Sequence, residues 1–148
     1  MRIRPATFDD RDELLELWQR SVRATHDFLT EEDIKHYHPL VRDGALKHLE
    51  LWILVDEQDT PTGFMALDGR KLEMLFLDPG HLRQGGGSRL VAHARRLKGA
   101  LQVDVNEQNL AARRFYEAMG FVLEGRSELD SSGRPFPLLH LHDPGEER

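Results

Sequence analysis

The stretch KLEMLFLDPGHLRQGGGSRLVAHARRL, Lys71 to Leu97, decides the fold. Leu72, Met74, Leu75, Phe76 and Leu77 form a near-continuous apolar run, which predicts a strand buried on both faces. Asp78, Pro79 and Gly80 end it. Gly85, Gly86 and Gly87 then let backbone approach a bulky anion, and Leu90, Val91, Ala94 and Leu97 recur at helical spacing, with Gly99 as the stop. Free N–H groups and the positive end of the helix dipole converge where a pyrophosphate can sit without a lysine. A flexible surface turn is the other reading of three glycines. A nucleotide-hydrolase loop would need Lys and Ser/Thr after the last glycine, but Ser88 and Arg89 follow Gly87; a dinucleotide fingerprint from Gly85 would need Gly or Ala at Leu90.

The 148 residues read as a single domain, 1–148, large enough to bury about two thirds of its unfolded surface. No apolar run approaches the length of a membrane span, and Met1 to Ala6 is too short and polar for a signal peptide, so a cytoplasmic protein without a membrane partner is expected. Zero cysteines exclude disulfides, thiolate metal sites and a cysteine nucleophile. A net charge of -6 argues against nucleic acid as a partner. The basic residues Arg83, Arg89, Arg95, Arg96 and Lys98 are expected to gather around the glycine turn and favour an anionic ligand there.

Outward from this centre, Arg2 to Pro5 reads as a first strand, and Thr7 with Asp10 as a capping box for a helix buried through Leu14, Leu15, Leu17, Trp18 and Val22. Arg20 to Leu40 mixes aromatics, histidines and acids with weak periodicity, and is the candidate segment for substrate contact. His36, His38, His140 and His142 offer ligand pairs but no complete set, so no metal is expected. Leu51–Val55 and Gly63–Leu67 are strands joined by a hairpin at EQDTPT. Leu101–Val105 is a further strand, Asn109–Met119 a helix, and Phe121–Leu123 with Leu138–Leu141 a closing hairpin; the tail after Asp143 reads as frayed. The pattern predicts an α/β (α+β) protein with a mixed, mostly antiparallel sheet and helices on both faces.

The succession of strand, glycine-rich turn, helix and strand, followed by NEQNLAARRFYEAMGF, resembles the GNAT superfamily of acyl-CoA-dependent N-acyltransferases. Its second motif stands here as Asn109, Ala112, Phe115, Tyr116, Gly120 and Phe121. WQRSVRATHDFL and GRSELDSSGRPFPLL resemble small bacterial acetyltransferases of the same superfamily, so the likeness spans nearly the whole chain. It implies a sheet splayed at the coenzyme-binding strand, with the pantetheine arm of acetyl-CoA taking backbone hydrogen bonds from Phe76 and Leu77 like an added strand. It implies further that Leu82, Arg83, Gln84, Gly85, Gly86, Gly87 and Ser88 form the coenzyme loop, with Asn109, Ala112 and Tyr116 also contacting the coenzyme. One departure is clear: the family's loop has Arg or Gln first and glycine second, whereas Leu82 and Arg83 stand here.

The implied activity is acetyl transfer from acetyl-CoA to a primary amine of a small molecule or of a protein lysine or N-terminus, by a monomer or homodimer. A non-catalytic acyl-CoA-binding module is the alternative. Transfer must free an amine of pKa about 10.4 from its proton and return one to a departing thiolate. Tyr116 holds the family's position for the acid; ordinary helix packing beside Phe115 is its other reading. Glu73, an acid in an apolar strand, is the first candidate base if burial raises its pKa, and an exposed edge carboxylate otherwise. His26 and Asp27 are the alternatives to it. With Phe28 and Asn106 they complete the expected acceptor site.

Overall fold

In the computed structural model, which describes residues 1–144, the apolar run is strand β4 (Lys71–Leu77) at the middle of a seven-stranded sheet. The other strands are β1 (Arg2–Pro5), β2 (Glu50–Val55), β3 (Pro61–Asp68), β5 (Gln102–Asn106), β6 (Val122–Ser127) and β7 (Leu138–His142), in the order β1-β2-β3-β4-β5-β7-β6. Every pairing is antiparallel except β4 with β5. The expected hairpins at EQDTPT and around DSSGRP both form. Residues 145–148, most of the tail expected to fray, lie outside the described residues.

The strand buried on both faces is β3, whose residues from Pro61 to Leu67 are all buried. β4 is only half-buried, and the reason is its partner. β5 pairs with it at Lys71↔Gln102 and Leu72↔Val103 alone, so from Glu73 onward β4 borders a gap. On its other edge, Ala66 pairs with Met74 and Leu67 with Leu72, which leaves Glu73 as the extra residue of a bulge.

Alternation along the strands divides the core. Ile53, Val55 and Phe64 face α1 (Arg11–Thr25) and α2 (Glu31–Leu40), packing on Leu14, Leu17, Trp18, Val22 and Ile34. Leu54, Met65 and Leu67 face α4 (Gly86–Lys98) and α5 (Leu110–Ala118), packing on Leu90, Val91, Ala94 and Tyr116. Helices thus cover both faces. The Thr7–Asp10 box forms, Asp10 accepting from the Thr7 amide at 2.7 Å while pairing with Arg4. The weakly periodic segment is more regular than its sequence suggests. Thr30 and Asp33 make a second capping box, and α2 runs past Pro39 through a π-helical turn at Val41–Ala45 into the one-turn α3 (Leu46–His48). Pro39 supplies no N–H to the helical ladder, and the chain answers by widening the next turn. No helix among the described residues is long and apolar enough to cross a membrane.

Candidate active site

After β4, Asp78 caps a short turn at Pro79–His81 by accepting from the Gly80 amide. The loop beyond takes left-handed backbone twice, at Arg83 (φ 62°) and Gly85 (φ 80°), before α4 begins. This explains the family's preference for glycine at the second loop position: Arg83 holds there a conformation that costs an L-residue roughly 1–2 kcal/mol. Arg89 makes the first helical bond, to Gly85 O at 3.0 Å, so the amides of Gly86, Gly87 and Ser88 are the unpaired donors at the helix start. Leu82, Arg83, Gln84 and Ser88 are exposed around them.

The glycines serve this cradle through packing. A Cβ at Gly86 would lie 2.7 Å from Leu77 Cδ1 and 2.8 Å from Leu54 Cδ2; one at Gly87 would press the Phe115 ring at 3.2 Å. Their bareness brings the amide end of α4 onto the exit of β4. The fit to a pyrophosphate is therefore good in donors and in backbone access. The expected basic cluster disperses, because Arg95 is tied to Asp143 and to the Met119 carbonyl, and Lys98 to Glu50. Arg89 reaches away to the Met1 carbonyl at 2.7 Å.

Where β5 leaves β4, a cleft of about 100 Å³ opens, walled by residues of β4, β5 and α5 and by His26. It brings together His26, Glu73, Phe76, Asn106, Asn109, Ala112 and Tyr116 from the residues anticipated. Asp27 is exposed and does not line it, since the chain turns outward after α1. Phe28 stands behind His26, its ring 5.3 Å away, and Phe136 of the β6–β7 loop lies 6.0 Å from Phe28. Tyr37 of α2 closes the same roof through its hydroxyl on Asp130. This α2 to β6–β7 contact was not foreseen; aromatics in otherwise polar stretches were its only trace.

His26 is held by a directional chain. Thr25 Oγ1 donates to Ser21 O at 2.7 Å, so it must accept from His26 Nδ1–H at 2.8 Å. Asn109 caps α5 by accepting from the Ala112 amide at 3.1 Å, which turns its Nδ2–H toward the bare His26 Nε2 at 3.3 Å. Burial pushes the imidazole down to about 4 despite the nearby charge of Asp27. His26 is thus a neutral, fixed wall of the cleft.

Tyr116 packs edge-on between Phe115 and Phe121, and burial pushes its phenol above the ordinary value, so the proton stays on at neutral pH. Its hydroxyl has no hydrogen-bond partner among the described residues. The helix-packing reading and the acid reading hold together: the ring packs while the residue lines the cleft.

Glu73 corrects an expectation. The bulge leaves it exposed, and Lys71 Nζ lies 3.4 Å from its carboxylate, so the burial that was to tune it is missing. Asp104, which the sequence did not single out, also lines the cleft. Lys71 holds one of its oxygens at 2.9 Å and His140 Nδ1 the other at 2.6 Å, with Ser127 Oγ at 2.6 Å from His140 Nε2. Burial opposes the Asp104 charge, but these hydrogen bonds outweigh it and keep the carboxyl below its ordinary value. His140, considered above as a metal ligand, is occupied in this chain. Period-2 alternation in QVDVN places Asp104 and Asn106 on one face and was the available clue.

A strand that splits from its parallel neighbour, a helix N-terminus aimed at the split, and a buried phenol beside it define an acyl-CoA-dependent transferase. Residues 47–123 match the Acetyltransferase (GNAT) domain, and the chain belongs to that family. It is an N-acetyltransferase that uses acetyl-CoA as co-substrate and transfers the acetyl group to an amine; a binding module without turnover is not favoured. Over 144 residues it is 44% identical to the peptidyl-lysine N-acetyltransferase YjaB of Salmonella typhimurium, covering 97% of this chain and 99% of that protein. The solution structure of apo-form YjaB from Escherichia coli matches with a TM-score of 0.89 at 43% identity over 98% of each chain. The PaiA N-acetyltransferase of Thermoplasma acidophilum, solved with coenzyme A, shares the fold with a TM-score of 0.80 at 19% identity, over 97% of this chain and 98% of that one.

Proposed function

We propose that this enzyme acetylates the ε-amine of lysine side chains in proteins, with Tyr116 as general acid. The observation that carries the reading is the cleft at the β4–β5 split, which gathers Tyr116, His26 and Asn109 beside unpaired β4 backbone. When bound, acetyl-CoA supplies the acetyl thioester. The amides of Gly86, Gly87 and Ser88 hold its pyrophosphate, and the open edge of β4 at Leu77 takes the pantetheine arm as an extra strand, whereas the backbone of Phe76, expected to share that role, turns toward Phe64 of β3.

Freeing a lysine amine at pH 7 costs roughly 4 to 5 kcal/mol. That proton leaves to bulk water at the open wall of the cleft, where Glu73 stands as an exposed carboxylate beside Lys71 and receives the cationic amine as it enters. His26 is unsuited as the base, because burial disfavours its charged form and Asn109 already occupies Nε2. It fixes the approach of the acceptor, with Phe28 and Phe136 as apolar walls for the lysine stem. As the N–C bond forms and the C–S bond breaks, Tyr116 Oη gives its proton to the sulfur, and the phenolate, disfavoured by burial, regains one from the second N–H proton that the attacking nitrogen sheds, leaving a neutral amide and a free thiol. The acceptor class rests on the YjaB relatives named as peptidyl-lysine N-acetyltransferases. In this reading residues 1–148 work as one domain in the cytoplasm, as a monomer or homodimer.

The test is a panel of lysine peptides, peptides with a free N-terminus and no lysine, and small polyamines, each incubated with acetyl-CoA and followed by release of free thiol. Acetylation of lysine peptides ahead of both other groups is expected. Turnover confined to N-termini or polyamines would overturn the acceptor assignment.

A further inference from the structure

Three basic residues that the cradle does not use converge on a second concavity. It lies between α4 and β1, has a volume of about 390 Å³, and is lined by Arg2, Ile3, Arg89, Ala92, His93 and Arg96. Arg89, Ala92, His93 and Arg96 follow one another at three- and four-residue spacing, so a single face of α4 presents them. The bond from Arg89 Nη2 to Met1 O ties this face to the start of β1 and fixes the two walls.

The charge is poorly compensated. Arg2 pairs with Asp59 at 2.8 Å, but Arg89 and Arg96 have no carboxylate partner among the described residues. Even on a chain of net charge -6, two uncompensated guanidiniums on one wall of a hollow repel each other, a free energy that an anion would recover. His93 supports this from the floor. Its ring stands edge-on to Trp52 at 4.6 Å, and its Nε2 is buried without a hydrogen-bond partner. Burial and the Arg96 charge hold the imidazole below its ordinary pKa, so it forms a neutral floor packed on Trp52 beside the hollow. Guanidinium forks bind carboxylates and phosphates alike, and with more than one of them at a single hollow the doubly charged phosphoryl group gains more than a singly charged carboxylate.

We propose that this pocket binds a phosphoryl group at a site separate from the pyrophosphate cradle. The group comes either from the 3′-phosphate of the coenzyme or from an independent phosphate compound. The two sources share one chemistry and are separable by experiment.

The test uses the full chain with ¹⁵N-labelled histidine, following the His93 ring nitrogens during titration with inorganic phosphate and, at equal ionic strength, with chloride. Saturable movement with phosphate but not chloride is expected, with affinity weakened roughly tenfold in Arg96→Gln, the loss of one charge-assisted contact. Arg96 is exposed, so the variant should keep the parent's melting temperature. Binding of CoA and dephospho-CoA is then compared in both proteins. A preference for CoA that disappears in Arg96→Gln identifies the coenzyme's own phosphate as the occupant; an unchanged preference alongside lost phosphate binding identifies an independent one. His93 resonances that ignore phosphate, or that respond alike in both proteins or to chloride, overturn the proposal.

Discussion

The clearest quantitative consequence concerns His26. A histidine in the unfolded chain titrates near 6.5, whereas burial holds this one at about 4 in the folded state. The unfolded state therefore binds the additional proton between these values, and stability rises with pH across that window. The contribution is complete above about 6.5 and is lost on acidification: integration of the linkage relation gives a loss of about 2 kcal/mol at pH 5 and about 3 kcal/mol by pH 4. Against a typical total of about 5–15 kcal/mol this is a large share. Carboxylates titrate in the same range, so the assay must isolate one residue. Urea unfolding at pH 7 and pH 5 would be compared for the parent and for His26→Gln, which retains an acceptor for Asn109 but cannot charge. The parent should lose about 2 kcal/mol more than the variant over that interval. NMR titration of the His26 ring gives a direct reading. An imidazole that titrates near 6.5 in the folded protein, or equal pH slopes for the two proteins, would refute the enclosed, neutral histidine.

Tyr116→Phe should keep the fold, because the hydroxyl makes no hydrogen bond among the described residues, while kcat falls by about 10² to 10⁴; an unchanged kcat would return the proton to water. Gly86→Ala drives a methyl onto Leu77 and Leu54 and should cost about 1–3 kcal/mol in thermal unfolding while weakening acetyl-CoA in calorimetry, and a neutral substitution would mean that α4 is not seated as described. Arg83→Gly removes a left-handed L-residue and should raise stability by about 1 kcal/mol in urea; a loss of stability would show that the guanidinium does more than tolerate its backbone.

The fold was legible wherever local chemistry and period agreed. Gly99 marked the end of α4, Thr7 with Asp10 opened the first helical segment, and both hairpins followed from their turn residues, while α4 takes in Gly86 and Gly87, which had read as part of the turn. Placement of the strands in the sheet was harder, because periodicity reports how many faces of a strand are covered but not which neighbour covers them. β4 looked doubly buried from its letters, yet that status belongs to β3, since β5 abandons β4 after Leu72. The site showed the same limit. Tyr116, Asn109 and the glycine loop came from motifs contiguous in the chain. Asp104, Tyr37 and Phe136 acquire their roles from pairings between distant segments, and Glu73 loses its expected burial to a bulge that no composition announces.

The two residue pairs that join β4 to β5 carry one more implication. Among the described residues they are the only ladder linking β5, β7 and β6 to the rest of the sheet, which resembles a book with a short spine. A ligand strand laid along the open edge lengthens that spine. Coenzyme occupancy then becomes a mechanical property of the whole enzyme: exchange of the Gln102 amide, which donates across the spine to Arg70 O at 2.9 Å, should slow when acetyl-CoA is present, although it lies outside the coenzyme loop.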